Sequence, residues 1–72
     1  MSNLKLNALK ISIEGKRLKA LATLDTYLSN SVGIGEHPQI MDEMEEQLGI
    51  VADCDGKLDS LKTLEDTIKK LK

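Results

Sequence analysis

The chain has 72 residues, 40% of them apolar, with one Cys, one His, no Phe or Trp, and a net charge of −2. That length allows one small domain, one Cys excludes a disulfide or a multi-thiolate zinc site within the chain, and no apolar run approaches the ~20 residues of a membrane span. So small a net charge gives no general attraction to nucleic acid or an anionic membrane, and the opening residues lack the basic and apolar regions of a secretion signal, so a cytoplasmic location is expected.

A first helix is expected over about residues 3–28. One apolar stripe runs through Leu6, Leu9, Ile13, Ala20, Leu24 and Tyr27, widened by Leu21 and Leu28. A second runs through Leu4, Ala8, Ile11, Gly15, Leu18 and Ala22. At about 100° per residue the two stripes lie on nearly opposite sides. A hairpin arm packed on one helix needs only one stripe. The second needs cover that a two-helix chain cannot give itself, and another copy of the chain is the natural source. Leu4, Ile11, Leu18 and Ala22 are the expected oligomer interface. The alternation in Leu4-Lys5-Leu6 and Ile11-Ser12-Ile13, with Glu14-Gly15 as a turn, is a strand-like alternative. It fails at Ala8-Leu9, and no further strands exist to complete a sheet.

A loop is expected over about residues 29–37, where Ser29, Asn30, Ser31, Gly33, Gly35 and Pro38 cluster. Pro38 suits the first turn of the next helix, since its missing donor would be orphaned there anyway. That second helix is expected over about 38–71, with Asp42 and Glu43 near its positive end and Lys69, Lys70 and Lys72 near its negative end. Its apolar positions are Ile40, Met44, Leu48, Val51, Cys54, Leu58, Leu61, Leu64, Ile68 and Leu71. Their mean step of about 3.4 residues is below the 3.6 of a straight helix, which favours a left-handed supercoil. Gly49 and Gly56 are weak points, at roughly 1 kcal/mol each against Ala. A break at Asp53-Cys54-Asp55-Gly56, giving three helices, is the alternative. Continuity is favoured because the stripe keeps its phase from Val51 through Cys54 to Leu58.

The fold expected is all-α: an antiparallel helical hairpin in a single domain over 1–72. Charge is segregated along it. Residues 1–30 carry five cations and two carboxylates, residues 31–56 seven carboxylates and no Lys or Arg, and residues 57–72 five cations and three carboxylates. The hairpin is therefore a rod, basic at its open end and acidic at its loop end. Two such rods attract when antiparallel. Exposed pairs contribute only tenths of a kcal/mol each, so charge selects orientation, while burial of the second stripe supplies several kcal/mol at ~25 cal/mol per Å². The expectation is an antiparallel homodimer forming a four-helix bundle.

Chemistry-bearing motifs are sparse. In Val32-Gly33-Ile34-Gly35-Glu36-His37-Pro38, Gly33 and Gly35 could form a backbone nest for an anion ahead of a helix N-terminus. No Lys-Ser/Thr pair follows and Glu36 and Asp42 oppose phosphate, so a tight interhelical loop is the preferred reading. His37 lacks the companions a metal needs and is read as a helix-capping residue beside Pro38. Asp53-Cys54-Asp55-Gly56 lacks the remaining oxygen ligands and closing Glu of a calcium loop, which leaves a helical turn with Cys54 in the core. Asp53 and Asp55 disfavour its thiolate. Lys10, Lys16, Arg17 and Lys19 form a basic patch, but Tyr27 is the only aromatic to stack a base. No catalytic, cofactor-binding or metal-binding residues are assigned, and no cofactor is expected.

Over residues 27–64, and most closely at Val32-Gly33-Ile34-Gly35-Glu36-His37-Pro38 with Met41, Glu43, Met44, Leu58 and Leu61 following, the chain resembles short helical proteins of myovirus-type tailed bacteriophages, including cyanophages. The resemblance implies a phage-encoded protein in an infected bacterial cytoplasm, and carries no activity to these residues. The function expected is a non-enzymatic helical oligomer working through contacts with a partner protein still to be identified, as an adapter or modulator. A nucleic-acid accessory role for the basic face of the first helix is the alternative, and nucleic acid is the less favoured partner. Anion binding at the Gly33–Gly35 loop is a third reading.

Overall fold

The computed structural model describes residues 2–29 and 39–71. Two helices account for nearly all of them: α1 (Ser2–Ser29) and α2 (Ile40–Leu71), packed against each other. They run antiparallel. Arg17 meets Asp55, and ten residues further along α1, Tyr27 meets Glu43, twelve residues back along α2. The rod measures 57 × 16 × 13 Å with a radius of gyration of 16.6 Å, against about 11 Å for a compact domain of this length.

Both helices form because each supplies a continuous seam. In α1 the strand-like alternation of residues 4–13 gives way to a helix, since a lone ribbon has no sheet to join. In α2 the helix passes unbroken through Asp53-Cys54-Asp55-Gly56. Val51, Cys54 and Leu61 are buried there, and that burial outweighs the roughly 1 kcal/mol cost of each glycine. The Glu43 N–H donates to the Gln39 carbonyl at 3.0 Å, so Gln39 opens α2. Asp42 and Glu43 occupy its first turn and Lys69 and Lys70 its last, each complementing the helix dipole.

The α2 seam differs in phase from the expected stripe. Its buried and half-buried positions are Ile40, Met44, Gln47, Val51, Cys54, Leu58, Leu61, Glu65 and Ile68. The steps alternate four and three without exception, a heptad seam. Leu48, Leu64 and Leu71, expected inside, are exposed, and Gln47 and Glu65 take the first two positions. The physical reason is that a two-helix contact can follow only one narrow line, and the heptad repeat outranks the apolarity of single residues. α1 behaves alike: Leu6, Ile13, Arg17, Ala20, Leu24 and Tyr27 turn inward. Leu9, Leu21 and Leu28, expected on that face, are exposed.

The core is thin. Among the described residues only Ala20, Val51, Cys54 and Leu61 are buried, and none is sealed completely. The accessible surface is 5878 Å², about a third above the ~4,400 Å² that size scaling gives for a compact protein of this mass.

Candidate interaction surface

The side of α1 turned away from α2 carries the second stripe. Leu4 is 77% exposed, Ile11 68% and Leu18 67%. Ala8 and Gly15 lie between them, Ala22 lies one turn beyond Leu18, and all three are exposed as well. A Cβ built on Gly15 meets nothing within 4 Å. All four residues expected at an interface, Leu4, Ile11, Leu18 and Ala22, therefore lie on the surface of the single chain. The six positions step by four and three, so α1 carries a second heptad seam opposite the first. Large side chains fall at every seventh residue and small ones between them.

Further apolar surface lies along the flanks. Near the acidic end, Leu24, Leu28, Met41, Met44 and Leu48 line an apolar groove beside Glu45. On another flank, Ala52 and Gly56 leave a shallow depression between Ile13, Leu61 and Leu64. Its cause is compositional: small residues at 52 and 56 remove the side chains that would fill it.

Polar contacts bridge the helices at two levels. The Arg17 Nε donates to Asp55 Oδ1 at 2.6 Å. The Tyr27 hydroxyl donates to Glu43 Oε2 at 3.0 Å. That hydrogen bond to a carboxylate is the main reason the Tyr27 pKa is raised above its ordinary value, with Glu46 adding negative charge nearby. Within α2, Lys57 Nζ pairs with Asp53 Oδ2 at 2.9 Å one turn away. This bond is the main cause of the raised Lys57 pKa. Both carboxylates of Asp53-Cys54-Asp55 thus answer cations, while Cys54 lies buried between them. Of the basic patch, Arg17 is turned to Asp55, and Lys10, Lys16 and Lys19 are exposed.

The loop motif Gly33, Gly35, His37 and Pro38 lies outside the described residues. Among the described residues no three His, Cys, Asp or Glu side chains are grouped to hold a metal ion. None of their helices is long and apolar enough to cross a membrane. The two cross-helix contacts were not anticipated from sequence. Their signal was available in the antiparallel pairing itself, which brings a cation at position 17 and a carboxylate at position 55 to one level. No family model, curated protein or solved structure matches this chain.

Proposed function

We propose that this chain is a non-enzymatic helical protein that acts through protein contacts and assembles as a homodimer of two hairpins, four helices in all. The observation that carries the reading is the exposed Leu4–Ile11–Leu18 row on α1. A soluble monomer rarely leaves large contiguous apolar surface open to water, and a patch of that kind marks an interaction site. The resemblance to short myovirus proteins supports an infected bacterial cytoplasm as the setting, with the dimer acting as an adapter or modulator of a host or viral assembly.

Light scattering behind size exclusion tests the reading. The wild-type chain is expected to show twice the chain mass at micromolar concentration. Leu18→Glu, which places a charge in the row without touching the α1–α2 seam, is expected to show the mass of one chain. A wild-type protein that stays at single-chain mass in concentrated solution overturns the proposal.

A further inference from the structure

The outer seam of α1 is self-complementary, and this property fixes more than the fact of association. Large residues stand at 4, 11 and 18 and small ones at 8, 15 and 22. In a parallel pair each residue meets its own copy, so Leu meets Leu in one layer and Gly meets Gly in the next. Such a pair alternates bulk with emptiness, and close packing is lost at every small layer. In an antiparallel pair, positions of the two heptad types face each other instead. Of the antiparallel registers, one uses all six residues: Leu4 faces Ala22, Ala8 faces Leu18, and Ile11 faces Gly15. Each large side chain then fills the space left by a small one, and the twofold axis passes between Ile11 and Gly15, level with residue 13.

We infer that the occupant of this face is a second copy of the chain, docked α1 against α1 in antiparallel orientation with the twofold axis level with residue 13. This inference rests on the self-association proposed above and adds to the antiparallel orientation expected from charge the helices that meet and their register. The two α1 helices occupy the centre, and each α2 flanks the far side of its own α1. The surface is open to receive the copy, since all six residues are exposed and Gly15 offers unobstructed space. The contact is isologous, so it closes on itself.

The charges of the whole rod agree with this orientation. Asp42, Glu43, Glu45 and Glu46 lie toward one end, and Lys62, Lys69 and Lys70 on α2 lie toward the other with Lys5 and Lys10 on α1. The twofold turns the acidic end of each copy toward the end at which the other is basic, but with each α2 on the far side of its own α1 these charges stand about 16–20 Å or more apart, beyond the screening length, so they bias the orientation only weakly. Local terms oppose it: Glu14 comes near its own copy at the axis, Lys10 comes level with the other copy's Lys16 and Lys5 near its Lys19, and each facing helix carries five cations against two carboxylates. Lys10 stands one turn from Glu14 on the same helix and offsets part of the Glu14 repulsion, while Arg17 is engaged with Asp55.

The experiment measures orientation separately from association. Spin labels are attached at Thr26→Cys in a Cys54→Ala background of the full chain, with mass measured on the same sample. Position 26 is exposed and lies 13 residues from the proposed axis, so at 1.5 Å per residue the antiparallel register separates the two labels by about 40 Å. A parallel pair brings them within about 10–15 Å, one interaxial distance plus the label arms. A dimer with the long distance supports the inference. A dimer with the short distance, or one displaced by a heptad or more from 40 Å, overturns the register while leaving association intact. A dimer that survives Leu18→Glu at unchanged mass overturns the choice of face. A sample at single-chain mass overturns association and register together.

Discussion

Tyr27 is the only aromatic residue in the chain, so its phenolate band reports one group and nothing else. Its hydroxyl donates to Glu43, and loss of that proton sets a phenolate beside a carboxylate. The folded-state pKa therefore lies above 10.0, and the hydrogen bond stabilises the fold below the unfolded pKa and is lost as pH rises through the folded one. A spectrophotometric titration of the wild type is expected to have its midpoint above 10.0, with Glu43→Gln bringing it down toward that value. An unchanged midpoint in Glu43→Gln removes the contact. Gly49 tests the helix interior in the same way. Its Cβ position is open, so Gly49→Ala is expected to stabilise α2 by about 0.5–1 kcal/mol in urea unfolding. Sequence alone showed that both Gly49 and Gly56 weaken the helix. It did not show that neither is required by a close approach, because that depends on where the neighbouring helix lies.

At the scale of the element, α2 obeys a heptad line more strictly than it obeys apolarity. Gln47 and Glu65 are half-buried in the α2 seam, whereas Leu48 and Leu64 beside them are exposed. The helix bounds, the acidic start and the basic end of α2 were legible from patterning and dipole chemistry. The phase of the seam was not, since a run such as Gln47-Leu48 offers an apolar choice one residue from the geometric one. Gln47→Leu puts an apolar side chain on the line and is expected to raise hairpin stability by about 1 kcal/mol, a partial share of a fully buried Leu. Leu48→Gln, one position off the line, is expected to change it by less than about 0.5 kcal/mol. A larger effect at 48 than at 47 would reverse the assignment. The cross-helix pair Arg17–Asp55 has a good distance but half-exposed partners. A double-mutant cycle on the two residues is therefore expected to give about 0.5–1 kcal/mol, shrinking in high salt.

At the scale of the molecule, the hairpin is short of the interior that a stable fold of this length needs. Among the described residues four side chains are buried, two of them Ala and Cys, and they contribute far less than the core of a compact domain. Chains of this size are commonly stabilised by oligomerisation, metals or disulfides, and a lone Cys forms no disulfide within one chain. In the dimer proposed above, association is coupled to folding: the second seam of α1 is sheltered only there, and the stability of each hairpin includes that burial. For such a dimer mass action makes the thermal midpoint rise with protein concentration, because the folded dimer competes with unfolded single chains. Circular dichroism over a hundredfold range of concentration is expected to show this rise in the wild type and its absence in Leu18→Glu, which melts lower and at one temperature throughout. Added salt is expected to weaken the dimer only a few-fold, since exposed charges select its orientation and the apolar seam supplies most of its free energy. A steep salt dependence with a concentration-independent midpoint would instead mean that the basic residues of α1 face the true partner, and that Leu4, Ile11 and Leu18 are not what holds the assembly together.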